Sequence, residues 1–197
     1  MDVRPIRIGR FVLTKLTAAD SEKYYLLSNN DAVMKFVTGY ALNRIQSDEM
    51  LRTIVGEYGP DTYLGRYLIE IPESAELIGV AKLDKSGPDI EIGYRIRFEH
   101  WGKGIATEIA SGLIHFAKNH LHAANVIAFV NVDNAASVRV LEKAGMKNVE
   151  TIEDIDEVKY KFIYIPRKNN VLKRVLYLLL ALLVIALIAA FAVGWVD

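Results

Sequence analysis

The stretch richest in chemistry runs from Glu91 to Glu108, EIGYRIRFEHWGKGIATE. A strand leads into a turn holding Gly102 and Gly104, and the turn opens directly into a helix whose Ile105, Ile109, Leu113 and Phe116 share one face. The first amides of a helix have no partner inside it and point at whatever lies in the preceding turn. With the positive end of the helix dipole added, such a turn favours phosphate. Glycine lets the backbone approach a ligand closely, and Lys103 adds one cation. A Rossmann dinucleotide loop would show a third small residue and open the first strand–helix unit, whereas this turn lies past mid-chain. A nucleotide P-loop would need Gly-Lys-Ser or Gly-Lys-Thr, which is absent. A phosphate-binding turn of another kind and a plain structural turn both remain open on spacing alone.

Other chemistries are excluded. With no cysteine, neither a disulfide-stapled fold nor a thiolate zinc site can be built. His115, His120 and His122 do not fall at i, i+4 on one face with a completing carboxylate, so no metal site is expected; they read as surface residues near a helix end. No Gly-x-Ser-x-Gly elbow is present for a hydrolase triad. With 24 basic and 24 acidic side chains, the chain lacks the basic surplus of a general nucleic-acid binder.

The elements that must position the turn read as follows. A strand is expected over 7–16, helices over 18–29, 32–37 and 47–57, then strands over 66–71, 77–83 and 90–98. The helix after the turn covers 104–120, a buried strand 125–132 and a further helix 135–144, with Gly145 as its C-cap. A closing strand or pair ends with the alternating run 158–165. The fold class is α/β (α+β): a mixed sheet with helices on both faces, over residues 1–166.

The last part of the chain differs. Val175–Val196 is a run of 22 residues without a charge, fourteen of them Leu, Ile, Val or Phe. As a helix it would be about 33 Å long, enough for a hydrocarbon core of about 30 Å. Tyr177 and Trp195 stand near its ends, and Arg167, Lys168, Lys173 and Arg174 flank only its N-terminal side. The expectation is a basic juxtamembrane linker at 167–174 and a transmembrane helix at 175–196, tail-anchored in the lipid bilayer with the domain on the cytoplasmic side. No signal peptide is expected from MDVRPIRIGRF, which has no apolar core. Ala186, Ala190 and Gly194 form a small-residue stripe through which two such helices could pair as a weak homodimer.

The segment His100 to Glu108, HWGKGIATE, resembles the acyl-CoA pyrophosphate loop of the GNAT acetyltransferases. It is most similar to the branch holding the ribosomal-protein N-terminal (Rim-type) enzymes. Glu91-Ile92-Gly93-Tyr94 and the later NAASVRVLEKAGM, Asn134 to Met146, are similar to that branch as well, and Arg10 to Asp20 more loosely. The resemblance spans residues 7 to about 166. It implies a mostly antiparallel central sheet, acetyl-CoA as co-substrate without a metal, and transfer of acetyl to a primary amine, either a protein N-terminus or a small molecule. It also implies that the pantetheine bonds to backbone freed at Arg95, Ile96, Arg97 and Phe98. The turn Trp101, Gly102, Lys103, Gly104, Ile105, Ala106 and Thr107 would take the pyrophosphate, and Asn134 would contact CoA.

Glu91 is the carboxylate placed to act as base, directly or through water; the competing reading is a salt bridge with Arg95 and Arg97 on the same strand face. Ser137 matches a serine near the departing thiolate, against an ordinary first-turn serine. For Asn134 the competing reading is a helix cap. Two departures stand out. Trp101 occupies a position where the wider superfamily has Arg or Gln, and Leu141 stands where many members carry the tyrosine that protonates the thiolate. A catalytically weak CoA sensor or scaffold at the membrane, and a partner-binding module without CoA, are the alternatives.

Overall fold

The computed structural model describes residues 3–59, 62–155 and 157–166, together with 180–182 and 184–185. The chain divides into two units, Met1–Ile165 and Pro166–Asp197. In the first, the order is β1 (Ile6–Ile8), β2 (Phe11–Lys15), α1 (Ser21–Ser28), α2 (Asp31–Met34), α3 (Arg44–Gly56), β3 (Gly65–Ile71), β4 (Glu76–Ser86) and β5 (Asp89–Ile96). Then follow α4 (Ile105–Asn119), β6 (Val126–Asn131), α5 (Ala135–Lys143), β7 (Met146–Glu153) and β8 (Val158–Tyr164).

These strands form one sheet in the order β1-β2-β3-β4-β5-β6-β8-β7. Every pair is antiparallel except β5 with β6. Alternation along the central strands sorts apolar side chains to two faces. Tyr67 and Ile69 of β3 join Phe11, Leu13, Ile92 and Ile96 against Ile105, Ile109 and Leu113 of α4. Leu68, between them, turns to the opposite cluster with Tyr24 and Leu27 of α1 and Leu51 of α3. The sheet is therefore covered on both sides, by α1 and α3 on one and by α4 on the other.

Local chemistry sets the boundaries where they depart from the expected ones. The first strand is broken into the β1–β2 hairpin at Gly9-Arg10, with Ile8 opposite Phe11. A 3-10 turn, Ala18–Asp20, precedes α1, and the Asp20 carboxylate accepts from the Thr17 N–H at 2.9 Å. The helix α3 starts at Arg44, earlier than its apolar periodicity suggests. Asn43 accepts from the Gln46 N–H at 3.0 Å while the Gln46 side chain accepts from the Asn43 N–H at 3.0 Å, a reciprocal cap that carries the helix back to that point. The expected helix over 32–37 shrinks to the single turn α2. The closing element is a pair, β7 with β8.

In the second unit, Leu180, Ala181, Leu182, Val184 and Ile185 are helical and exposed. No helix among the described residues is long and apolar enough to cross a membrane. Apart from those five positions, the span expected at 175–196, the basic linker at 167–174 and the stripe of Ala186, Ala190 and Gly194 lie outside the described residues.

Candidate active site

The strand β5 has two unlike edges. Towards β4 it pairs along its whole length, from Ser86 opposite Asp89 to Gly79 opposite Ile96. Towards β6 it pairs only at Ile90 with Val126 and Glu91 with Ile127. Beyond Glu91 the two parallel strands part, and an opening runs up the sheet towards α4.

Strand alternation decides which backbone groups face this opening. The Ile90 N–H bonds to Asn125 on the β6 side at 3.1 Å, and the Arg97 N–H bonds to the Ile78 carbonyl on the β4 side at 2.9 Å. Even-numbered residues therefore turn their N–H and C=O to the opening, and odd-numbered ones turn theirs to β4. Of the stretch Arg95 to Phe98, Ile96 faces the opening, joined by Tyr94 below it, whereas Arg95 turns its backbone groups to β4 and Arg97 gives its N–H to Ile78 and its carbonyl to the His100 N–H. The Ile96 carbonyl is already taken by the Trp101 indole N–H at 2.8 Å. That bond folds the chain after β5 back onto the end of the strand. Phe98 is half exposed and packs on the Trp101 ring, with centroids 5.0 Å apart.

The turn itself is built for close approach. Gly102 and Gly104 have φ of +74° and +78°, a left-handed conformation that suits glycine, and no heavy atom lies within 4 Å of where a Cβ would sit on either. The Gly104 carbonyl accepts the amides of Thr107 and Glu108, both at 3.1 Å. As the first two residues of α4, Ile105 and Ala106 have N–H groups without an intrahelical acceptor. Lys103 is exposed beside them. Open glycine backbone, unclaimed amides, a helix N-terminus and a lysine together fit a pyrophosphate.

The side chains of β5 divide by face. On the α1–α3 side Glu91 meets Lys82, with Nζ to Oε1 2.5 Å, and Lys82 also reaches Asp84 at 3.3 Å. Asp84 in turn pairs with Arg66, which lies 3.4 Å from Glu57. Glu91 is thus ion-paired, but to Lys82 on the neighbouring strand. Arg95 instead lays its guanidinium over the Tyr24 ring at 5.2 Å and donates to the Met34 sulfur at 2.8 Å. Arg97 pairs with Glu99 and donates to the Leu77 carbonyl at 3.3 Å.

On the α4–α5 side the Tyr94 ring packs against the core, and its hydroxyl is buried without a hydrogen bond. Burial pushes this phenol up to about 12. The Ser137 hydroxyl faces it and draws it part of the way back, though the geometry of a hydrogen bond is not reached. Asn134 caps α5, its side-chain oxygen accepting from the Ser137 N–H at 3.1 Å. Leu141, on the same helix, is buried among apolar side chains. In the sequence the Tyr94 phenol stands out only as part of the Glu91 to Tyr94 block. Its position opposite Ser137 needs the tertiary fold, and no residue spacing signals it. Among the described residues, no group of three or more His, Asp or Glu could hold a metal ion.

The chain matches the family model described as Acetyltransferase (GNAT) domain over residues 10–147. The uncharacterized N-acetyltransferase YoaA of Bacillus subtilis (strain 168) is 32% identical over 149 residues, covering 72% of this chain and 82% of that protein. Among solved structures, the ribosomal L7/L12 alpha-N-protein acetyltransferase RimL in complex with coenzyme A superposes with a TM-score of 0.69 at 15% identity, over 82% of this chain and 98% of that one. Spermidine N-acetyltransferase from Vibrio cholerae, in complex with CoA and spermine, gives 0.63 at 19% identity, over 79% and 95%. GNAT enzymes use acetyl-CoA. The family match over most of the first unit, together with so similar a bacterial relative, shows that this chain belongs to the GNAT acetyltransferases and is an N-acetyltransferase.

Proposed function

We propose that the protein binds acetyl-CoA along the β5–β6 opening and transfers the acetyl group to a primary amine on a protein N-terminus or a small molecule. The opening carries the reading, because it leads from the last paired residue, Glu91, to the amides of the glycine turn. The pyrophosphate lies against Trp101 to Thr107, and the pantetheine follows the edge of β5 presented by Tyr94 and Ile96. The amine approaches from the α1–α3 face, where Glu91 takes its proton directly or through water. Asn134, with its oxygen engaged in the cap, offers its amide N–H to CoA. Two amine classes are supported by structural neighbours: RimL is described as acting on a ribosomal protein's α-amino group, and the Vibrio cholerae enzyme is bound to spermine.

We further propose that residues 175–196 anchor the chain in a lipid bilayer as a single C-terminal span, with the domain on the cytoplasmic side. The support is the uncharged apolar run and its one-sided basic flank. In expressing cells the full chain should pellet with membranes and resist carbonate extraction, with the domain digested by protease added on the cytoplasmic side. A carbonate-soluble chain would overturn the anchor. For the chemistry, thiol release from acetyl-CoA is followed with the full chain against N-terminal peptides and polyamines. Turnover with one class assigns the acceptor. Binding of acetyl-CoA without turnover on any amine would return the protein to a CoA sensor or scaffold.

A further inference from the structure

The Tyr94 hydroxyl is the anomaly of the sheet. It sits in an apolar cluster, has no hydrogen-bond partner, and reaches from β5 towards the first turn of α5, where Ser137 lies. A buried polar group without a partner lowers stability, and phenylalanine would fill the same space without that burden. Tyr94 also stands on the part of β5 that no longer pairs with β6, so its side chain rises from the edge of the opening.

We infer that the Tyr94 hydroxyl donates a hydrogen bond to the sulfur of the thioester as negative charge develops there, a function carried here from β5 and not from the Leu141 position of α5. This rests on acetyl-CoA lying in the β5–β6 opening as proposed above. In the step, the amine nitrogen forms the new bond to the acetyl carbon and loses one proton to the base. The carbon–sulfur bond breaks with its electron pair going to sulfur. The phenol keeps its proton throughout, and the thiolate takes a proton from water as it leaves. Donation without transfer follows from acidity, since a thiol ionises near 8.5 whereas burial holds this phenol near 12. A preorganised donor aimed at developing charge in a dry site acts on the transition state more than on the bound substrate. Glu91 lies on the other face of the same strand and three residues away (about 10 Å along it), so the amine proton reaches it through water, while nitrogen and sulfur both flank the acetyl carbon.

The test is Tyr94→Phe in the full chain, read by kcat, KM, acetyl-CoA affinity from calorimetry, and thermal midpoint. The expected result is a fall in kcat of about a hundredfold, with KM and affinity within about twofold of the parent. The thermal midpoint should be equal or higher, because an unpartnered hydroxyl has been removed. Replacing Tyr94 by 3,5-difluorotyrosine, similar in size and more acidic, should retain activity at neutral pH. It should also bring in an alkaline loss of kcat at a lower pH than in the parent. Unchanged kcat in Tyr94→Phe, or a fall in kcat matched by a fall in thermal midpoint, would overturn the inference alone. A parent chain that does not bind acetyl-CoA would overturn the proposed function and this inference with it.

Discussion

Lys82 and Glu91 lie diagonally across the β4–β5 pair, 2.5 Å apart at their charged ends, and Gly93 makes the contact geometrically available. Lys82 stands opposite Gly93, where a Cβ would meet its Cδ at 3.3 Å. Without a side chain there, the lysine stem lies over the strand and its ammonium reaches one pleat along to Glu91. The Glu-Ile-Gly-Tyr block therefore places a charged pair on one face and a phenol on the other.

A carboxylate at the foot of the opening can accept a proton from an incoming amine. Glu91→Gln keeps the size and loses that ability. The expected outcome is a fall in kcat of about a hundredfold, with acetyl-CoA affinity unchanged by calorimetry. A variant that keeps its kcat but melts at a lower temperature would leave Glu91 as an ion pair with Lys82 and nothing more.

The glycine turn makes a different prediction, because its two roles separate. At Gly104, φ of +78° strains any residue with a Cβ by about 1–2 kcal/mol, while open space around the position means that nothing within the chain is struck. Gly104→Val should therefore fold with a modestly lower thermal midpoint. Its added methyls would stand where phosphate must approach the backbone, so acetyl-CoA affinity should fall by far more than the strain accounts for. Calorimetric titration reads this directly; affinity equal to the parent's would remove the turn from the CoA site.

How much of this was legible beforehand depends on which interaction positions each residue. The turn was legible because glycine, lysine and a helix start are local features, and Gly102 and Gly104 do adopt the conformation that their type suggests. The face of α4 was legible from its apolar spacing. The strand β7 was legible no further than as one half of the closing pair that stood beside a single strand, because Lys147, Asn148, Glu150, Thr151 and Glu153 give no apolar alternation. It is an edge strand held by β8 across an irregular register, and charged residues suit an edge that must not pair further. The ion-pair partner of Glu91 differs from the arginines of its own strand for a related reason. Alternation alone put Arg95 and Arg97 on the same face as Glu91, but only the β4–β5 register brings Lys82 alongside. Similarly, freed backbone was expected over Arg95 to Phe98. Where pairing with β6 ends, and which parity then faces the gap, follow from tertiary hydrogen bonds such as Arg97 N–H to Ile78.

Two buried phenols set the alkaline limit of the fold. Burial raises Tyr94 to about 12, and burial followed by the nearby Tyr63 raises Tyr67 as well. In the unfolded chain both ionise near 10. The folded state therefore holds these protons more tightly, and its stability from this source is fully present below about pH 10. It is lost as pH rises through the folded values, because the unfolded chain ionises first. Thermal midpoints should be flat through neutral pH and fall above about pH 10, with phenolate absorbance appearing together with loss of the native circular dichroism. Tyr94→Phe should make the alkaline fall shallower, since one proton-linked group is gone and no hydrogen bond is lost with it. Tyr67→Phe should do the same while lowering stability at pH 7 by about 1 kcal/mol, because the Tyr67 hydroxyl donates to the Tyr63 carbonyl at 2.7 Å. If every tyrosine ionises near pH 10 with the fold intact, neither phenol is held as described, and the dry environment assigned to Tyr94 fails with it.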